Sequence, residues 1–326
     1  MAKGRILSGM RPTGELHLGH LVGALSNWKA LQDEYECFYM VADWHALMSE
    51  YADTSRIASI TRDNVMDWLA CGIDPEKATI FVQSRVPEHA ELHLILSSIT
   101  PLGWLERCPT YKEQLSELKN RDLSNYAFLG YPVLQAADIL LYKATLVPVG
   151  EDQLPHLEIT REVARRFNSF YGEVFPEPQA KLTESPKLLG LDRRKMSKSY
   201  GNTISLSDAP EVIESNVLRM VTDPLRIKRT DRGRPDYCNV HRYYEAFAPE
   251  IAPEVARECR EARVGCVDCK KRLAKILIEY LADFRSRKAR LKTQPELVEE
   301  IIEEGTRAAK KVAAHTMAEV RRAIRF

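Results

Sequence analysis

Four short apolar runs punctuate the first half of this 326-residue chain: Arg5 to Ser8, Cys37 to Ala42, Thr79 to Gln83 and Leu146 to Val149. Stretches of helical periodicity lie between them. Such alternation restricts the fold to the α/β class, because each crossover helix must cover a face of a parallel sheet. The expectation is a Rossmann-like, doubly wound parallel sheet. A mostly helical insertion, apolar at Leu92, Leu94, Ile95, Leu102 and Leu105, is expected from about 85 to 135. After Asn202 the pattern becomes almost wholly helical. The last helix repeats Leu297, Ile301, Ala308, Val312, Met317, Val320 and Ile324, which predicts a core-facing stripe rather than a coiled coil. The length accommodates two domains, and the change of pattern divides them as 1–203, α/β, and 204–326, all-helical.

The first strand leads into a chemically suggestive turn. Ile6-Leu7 ends a buried strand, Ser8 to Gly14 is glycine-rich, and His17 to Trp28 has Leu18, Leu21, Val22, Leu25 and Trp28 at helical spacing. A strand, a tight turn and a helix N-terminus together form an anion site, where free N–H groups and the positive dipole end face the ligand. Gly19 has no Cβ and permits close approach of a flat base. His17 and His20 offer hydrogen bonds to phosphate oxygens. The alternatives are an exposed histidine pair or two zinc ligands, although no third ligand at metal-site spacing follows.

The second stretch is Lys195-Met196-Ser197-Lys198-Ser199, followed by Tyr200-Gly201-Asn202. Two ammonium groups on a mobile loop (195–199) suit a departing pyrophosphate, since phosphoryl and nucleotidyl transfer depend on positioning and charge neutralisation. The alternative is a solvated basic loop, Arg193 to Lys198. Together, in this order and about 180 residues apart, the two stretches resemble the paired nucleotide-binding motifs of class I aminoacyl-tRNA synthetases. The pairing points to ATP chemistry.

A third block, Tyr131 to Tyr142, reads as a helix opened by Pro132, followed by Val147 to Gln153. Tyr131, Gln135 and Asp138 fall at i, i+4 and i+7 on one helical face. A buried carboxylate needs a donor, and an indole N–H or a phenol O–H would supply one. A polar stripe satisfied within the core is the alternative.

The order of Leu7–Gly14, Val41–Ala46, Gly103–Arg107, Tyr131–Gln153, Lys195–Asn202 and Thr222–Pro224 resembles the bacterial tryptophanyl-tRNA synthetase family over essentially the whole chain. That resemblance implies that Asp138 accepts the indole N–H. It implies Leu7, Gly9, Val147 and Val149 around the ring, with His45, Tyr131, Gln135 and Gln153 near the substrate amine and carboxylate. Arg11, Pro12, Thr13, Gly19, His20, Gly150, Glu151 and Asp152 would surround ATP, with Leu188 against the adenine and Lys112 reaching the phosphates. Lys195, Met196, Ser197, Lys198 and Ser199 would complete the ATP site, and His17, His20, Lys195, Ser197 and Lys198 would act in catalysis with Mg²⁺. Leu7 stands where phenylalanine is usual, Arg11 replaces a glutamine, and Gln135 replaces a methionine. The Tyr131, Gln135, Asp138 pattern also resembles archaeal-type tyrosyl-tRNA synthetases, which makes tyrosine the rival substrate.

Seven cysteines are present. Cys37, Cys71 and Cys108 sit among apolar residues and read as buried thiols. An odd count without a signal peptide argues against a disulfide framework. Cys238, Cys259, Cys266 and Cys269 are spaced to close one tetrahedral set, as zinc or as an iron–sulfur cluster. They resemble the C-terminal [4Fe–4S] motif of one tryptophanyl-tRNA synthetase subgroup, with a slightly shorter first spacer.

Net charge is +1 overall but +5 from Ile204 to Phe326 and −4 before it. The C-terminal part is therefore the better candidate for a phosphate backbone, and Arg285, Arg287, Lys288, Arg290 and Lys292 form its densest cluster. No apolar run reaches membrane-span length, and no targeting peptide is apparent, so a cytoplasmic location is expected. The resemblance implies L-tryptophan and tRNA(Trp) as partners, an anticodon-binding role for 204–326, and a homodimer through the helical insertion. Two other classes fit parts of the pattern. They are a stand-alone nucleotidyltransferase and a four-cysteine nucleic-acid-binding protein without ligase activity.

Overall fold

A computed structural model describes residues 4–108, 125–182, 188–197 and 200–326. The chain forms two compact units: Met1–Gly14, Trp28–Thr183 and Gln294–Phe326 make the first, and Glu15–Asn27 with Glu184–Thr293 the second.

The first unit is built on a five-stranded parallel sheet, β1 (Arg5–Met10), β2 (Glu36–Val41), β3 (Ala78–Val82), β4 (Leu146–Val149) and β5 (Gln179–Leu182), in the order β3-β2-β1-β4-β5. Four strands lie within two residues of their expected ends. β5 was not anticipated: its pattern, Gln-Ala-Lys-Leu, is too polar to read as a buried strand, and it is an edge strand, where polar residues are tolerated. β1 pairs with β2 from Arg5↔Glu36 to Met10↔Val41. β1 and β4 are the point where the strand order reverses, and in open α/β sheets the carboxyl ends at such a point are where ligands bind.

Helices of this unit are α2 (Asp43–Glu50), α3 (Ile57–Cys71), α4 (Glu88–Ile99), α5 (Leu102–Glu106), α6 (Tyr126–Leu141) and α7 (Leu154–Tyr171). Asn125 caps α6 by accepting the Phe128 N–H. Pro132 therefore lies inside α6 and does not open it. Preceding α2 is α1, which begins at Leu18–His20, widens into a π-helical turn at Leu21–Leu25 and resumes at Ser26–Leu31.

One face of the sheet packs Trp28, stacked on Tyr39 at 4.4 Å and edge-on to Trp68 at 5.0 Å. Its indole N–H donates to Ser8 and its carbonyl accepts from the Tyr39 hydroxyl. The other face holds a continuous core of Leu7, Phe38, Met40, Val147 and Val149 with Val133, Ala136, Ala137 and Leu140 of α6. The last helix, α13 (Pro295–Ile324), adds Ala309, Ala313, Met317 and Val320 to that core. It is the expected core-facing helix, but its register is partly rotated: Leu297 is exposed, and Val298, Ile302 and Thr306 are buried instead. Gly305 explains the shift, because it brings the α13 backbone against the Ile80 carbonyl of β3.

The second unit contains α8 (Pro210–Arg219), α9 (Asn239–Phe247), α10 (Ala252–Arg260), α11 (Cys266–Tyr280) and α12 (Ala282–Lys292). No described helix is long and apolar enough to cross a membrane.

A Cβ on residue 305 would overlap backbone atoms of Ile80, which cannot rotate away. Gly305→Ala is expected to destabilise the protein by about 2 kcal/mol or more despite alanine's better helix propensity. The denaturation midpoint checks this, and an unchanged or higher midpoint would contradict the close approach.

Candidate active site

In the first unit the functional candidates converge on Asp138, which is 2% exposed on α6. Its Oδ1 accepts from Gln83 Nε2 and lies 2.7 Å from His89 Nδ1, and its Oδ2 lies 2.7 Å from His45 Nε2. Burial pushes this carboxyl toward its neutral form, but the hydrogen bonds from His45 and His89 outweigh it and hold the group well below the usual carboxylate range. An ionised carboxylate offers roughly four acceptor directions. Among the described residues Oδ1 uses two and Oδ2 one, so one direction on Oδ2 is not taken by protein.

Of the expected ring-lining residues, Leu7, Val147 and Val149 lie in the apolar core that also contains the helix bearing Asp138. Gly9 sits where a Cβ would come 2.8 Å from the Met40 carbonyl, so close strand packing is sufficient reason for glycine there. Gln135 is half-buried on the same helix.

Tyr131, Gln153 and Asp152 are joined through a residue that sequence reasoning missed. The Tyr131 hydroxyl lies 2.5 Å from His156 Nε2, His156 Nδ1 lies 3.0 Å from Gln153 Oε1, and Gln153 Nε2 donates to Asp152. Gln153 Oε1 can only accept, so His156 carries its proton on Nδ1 and accepts from Tyr131. Burial keeps that imidazole neutral, lowering its pKa to about 4. Burial also raises the Tyr131 phenol well above its ordinary value. Arg11, Pro12 and Thr13 follow β1, and Gly150, Glu151 and Asp152 follow β4, so the two segments expected to meet ATP both lie at the carboxyl ends of the switch-point strands.

The two motif regions meet in the second unit. His17 caps α1: its Nδ1 accepts from the Gly19 N–H, and His20 Nδ1 accepts reciprocally from the His17 N–H, both at 3.2 Å. This is a capping box made from imidazoles. Because each Nδ1 accepts, each ring is neutral and carries its proton on Nε2. The segment before the cap pairs with the segment after the lysine loop: Leu18 N–H donates to Ile204, and Leu206 N–H to Leu16. Met196 Sδ would lie 3.3 Å from a Cβ on Gly19, so the two motifs touch.

Asn202, 2% exposed, anchors the loop. Its Oδ1 accepts the Ser197 N–H, and its Nδ2 donates to the Lys195 carbonyl and to Asp192. Gly190 leaves room for that side chain. Lys195 is exposed, and Leu188 is half-buried. Lys112, Lys198 and Ser199 lie outside the described residues.

The four C-terminal cysteines also gather within this unit. Cys238 precedes α9, Cys259 is on α10, and Cys266 and Cys269 open α11. Cys269 feels the charges of the other three, and burial pushes its thiol up to about 12. Burial raises the Cys238 thiol as well. The Arg226 guanidinium lies 3.5 Å from the Cys259 sulfur. Among the described residues, however, no group of three or more His, Cys, Asp or Glu side chains is close enough to hold a metal ion.

Gln83, His89, Tyr142, His156 and Asn202 are the contributors missed in sequence. His89 left a signal: it occupies the buried stripe of α4 with Leu92, Leu96 and Ile99, where a polar residue must have partners.

A family profile for tRNA synthetases class I (W and Y) matches residues 2–282. The chain is 57% identical over 323 residues to the tryptophan–tRNA ligase of Thermotoga maritima, covering 98% of both. It is 43% identical over 391 aligned residues to that of Aquifex aeolicus, covering 98% of this chain and 99% of that one. A crystal structure of tryptophanyl-tRNA synthetase from Campylobacter jejuni complexed with ADP and tryptophan matches with a TM-score of 0.89 at 32% identity, covering 99% and 100% of the two chains.

His156 has a lowered folded-state pKa, so the unfolded chain takes up its proton first as pH falls. The stability contributed by keeping it neutral is complete above about 6.5 and is lost as pH falls toward about 4. An imidazole NMR titration is expected to find His156 neutral at pH 5.5, and an ordinary midpoint near 6.5 would contradict its burial.

Proposed function

The chain belongs to the class I tRNA synthetases of the tryptophan and tyrosine (W and Y) family, and from that membership we infer its reaction. It activates L-tryptophan with ATP and transfers the aminoacyl group to the terminal ribose of tRNA(Trp), as its relatives' names describe. A buried carboxylate would also suit a phenol O–H, but full-length relatives at 57% and 43% identity act on tryptophan, which disfavours tyrosine.

The geometric observation that carries the reading is Asp138, an ionised acceptor buried among apolar side chains with one direction on Oδ2 left for a donor. The tryptophan carboxylate attacks the α-phosphorus in line, and pyrophosphate leaves. Arg11 to Thr13, Lys112 and Gly150 to Asp152 receive ATP with Gly19, Leu188 and the Lys195–Ser199 loop. Nε2–H of His17 and His20 donates to phosphate oxygens, a role the capping geometry supports by fixing both tautomers. Lys195 and Lys198 neutralise the departing pyrophosphate, and Mg²⁺ bound with ATP adds to that neutralisation. The ribose 2′-OH then attacks the adenylate carbonyl. Orientation supplies the rate, and no side chain need act as an obligatory base.

Residues 1–203 carry activation in this reading and 204–326 bind the anticodon arm, in a cytoplasmic enzyme. Pairing of two copies through the helical insertion is supported by Leu94 and Tyr126, which are 71% and 70% exposed on α4 and α6. Cys238, Cys259, Cys266 and Cys269 would hold a [4Fe–4S] cluster, with zinc as the alternative. The guanidinium beside Cys259 supports that reading, and because burial raises the Cys238, Cys259 and Cys269 thiols, a bound metal or cluster would have to draw their protons off.

Two results are expected. Pyrophosphate exchange should depend on tryptophan, and Lys195→Ala and Lys198→Ala should each slow single-turnover adenylation by roughly 100-fold or more with little change in tryptophan affinity. Equal losses in rate and affinity would argue against the lysine roles. Protein purified without oxygen should contain iron and sulfide and show a broad visible absorbance lost in Cys266→Ser. Stoichiometric zinc without iron would select the alternative.

A further inference from the structure

His89 is fully buried on α4, where an apolar residue would pack at less cost. Its Nδ1 lies 2.7 Å from Asp138 Oδ1 and its Nε2 lies 2.9 Å from the Tyr142 hydroxyl. Tyr142 is itself fully buried and held by Phe38 and Phe81, at 4.9 and 5.3 Å between ring centres. The ionised carboxylate can only accept, so His89 Nδ1 carries a proton, and in the neutral ring Nε2 then accepts from the Tyr142 hydroxyl. Gln83 is locked in the same way. Its Oε1 accepts the Trp44 N–H, which turns its Nε2 toward the same Oδ1. Both fixed donors therefore grip Oδ1, and among the described residues only His45 is hydrogen-bonded to Oδ2.

We propose that His89, with its proton placed by Tyr142, is a positioning residue for amino-acid selection: it holds the Asp138 carboxylate so that the remaining Oδ2 direction meets a ring N–H. The inference rests on the reading of Asp138 as the indole acceptor. Without the grip on Oδ1 the carboxylate turns about its Cβ–Cγ bond, and His45 and the substrate compete for the same oxygen. The binding of any ring of the right shape survives that rotation. Preference for a ring that donates a hydrogen bond does not.

The test compares kcat/KM in pyrophosphate exchange for tryptophan and for its benzothiophene isostere, in which sulfur replaces the ring N–H. In His89→Leu the preference for tryptophan should fall roughly 10- to 100-fold, through KM for tryptophan, with KM for ATP within about twofold of wild type. His89→Asn places an amide N–H near the position of Nδ1 and should recover most of the preference. Equal losses toward both amino acids in His89→Leu would mean that the residue only packs the core, and would overturn the proposal. If His89→Leu does not fold, Tyr142→Phe decides. It removes only the hydroxyl that places the His89 proton and should lower the preference several-fold, whereas an unchanged preference overturns the proposal. Wild-type exchange with tyrosine instead of tryptophan would overturn the reaction itself, a result distinct from a wild type that discriminates and a His89→Leu that discriminates equally.

Discussion

The ionised carboxylate of Asp138 organises much of the first unit. Removing a carboxylate from water costs several kcal/mol even after relaxation, so it persists only because α2, α4 and the turn after β3 each deliver a donor to it. Those elements are thereby held in one arrangement around α6. The requirement propagates outward. Tyr142 must orient His89, Trp44 must orient Gln83, and the aromatic pair Phe38 and Phe81 must hold Tyr142. The hydrogen bonds that make burial of the carboxylate tolerable are also those that fix its orientation.

The second unit solves a different problem, the placing of exposed cationic groups without burying them. Lys195 is exposed, yet the backbone beside it is tied to Asn202, which reaches Ser197, Lys195 and Asp192 from a buried position. His17 and His20 use Nδ1 to satisfy helix N–H groups and keep Nε2–H as the donor of each ring. Backbone pairing of Leu16 and Leu18 with Leu206 and Ile204 then joins stretches nearly two hundred residues apart. Histidines held at both ring nitrogens recur in the first unit: His156 lies between Tyr131 and Gln153, as His89 lies between Tyr142 and Asp138.

The legible features were those carried by a local period or a local motif. Four strands announced themselves because buried parallel strands are runs of apolar residues. β5 did not, because an edge strand needs no such run. The face of Tyr131, Gln135 and Asp138 was readable from helical spacing. The donors around Asp138 were not, since Gln83 and His89 lie about fifty residues away in sequence and on other elements. In α13 the apolar repeat predicted a core-facing helix, but of its residues only Met317 and Val320 are fully buried, and Gly305 meets the Ile80 backbone, a contact that no hydrophobic pattern encodes.

The sequence by itself determined the class of fold and singled out the two motif stretches and the Asp138 carboxylate as candidates, because each depends on residue type and short-range spacing. Only the tertiary structure decided which donors surround that carboxylate, which tautomers the histidines hold, and how Asn202 anchors the lysine loop. Those are questions of hydrogen-bond partnership. A partner is chosen by which groups packing brings within about 3 Å, and that proximity is a property of the folded chain.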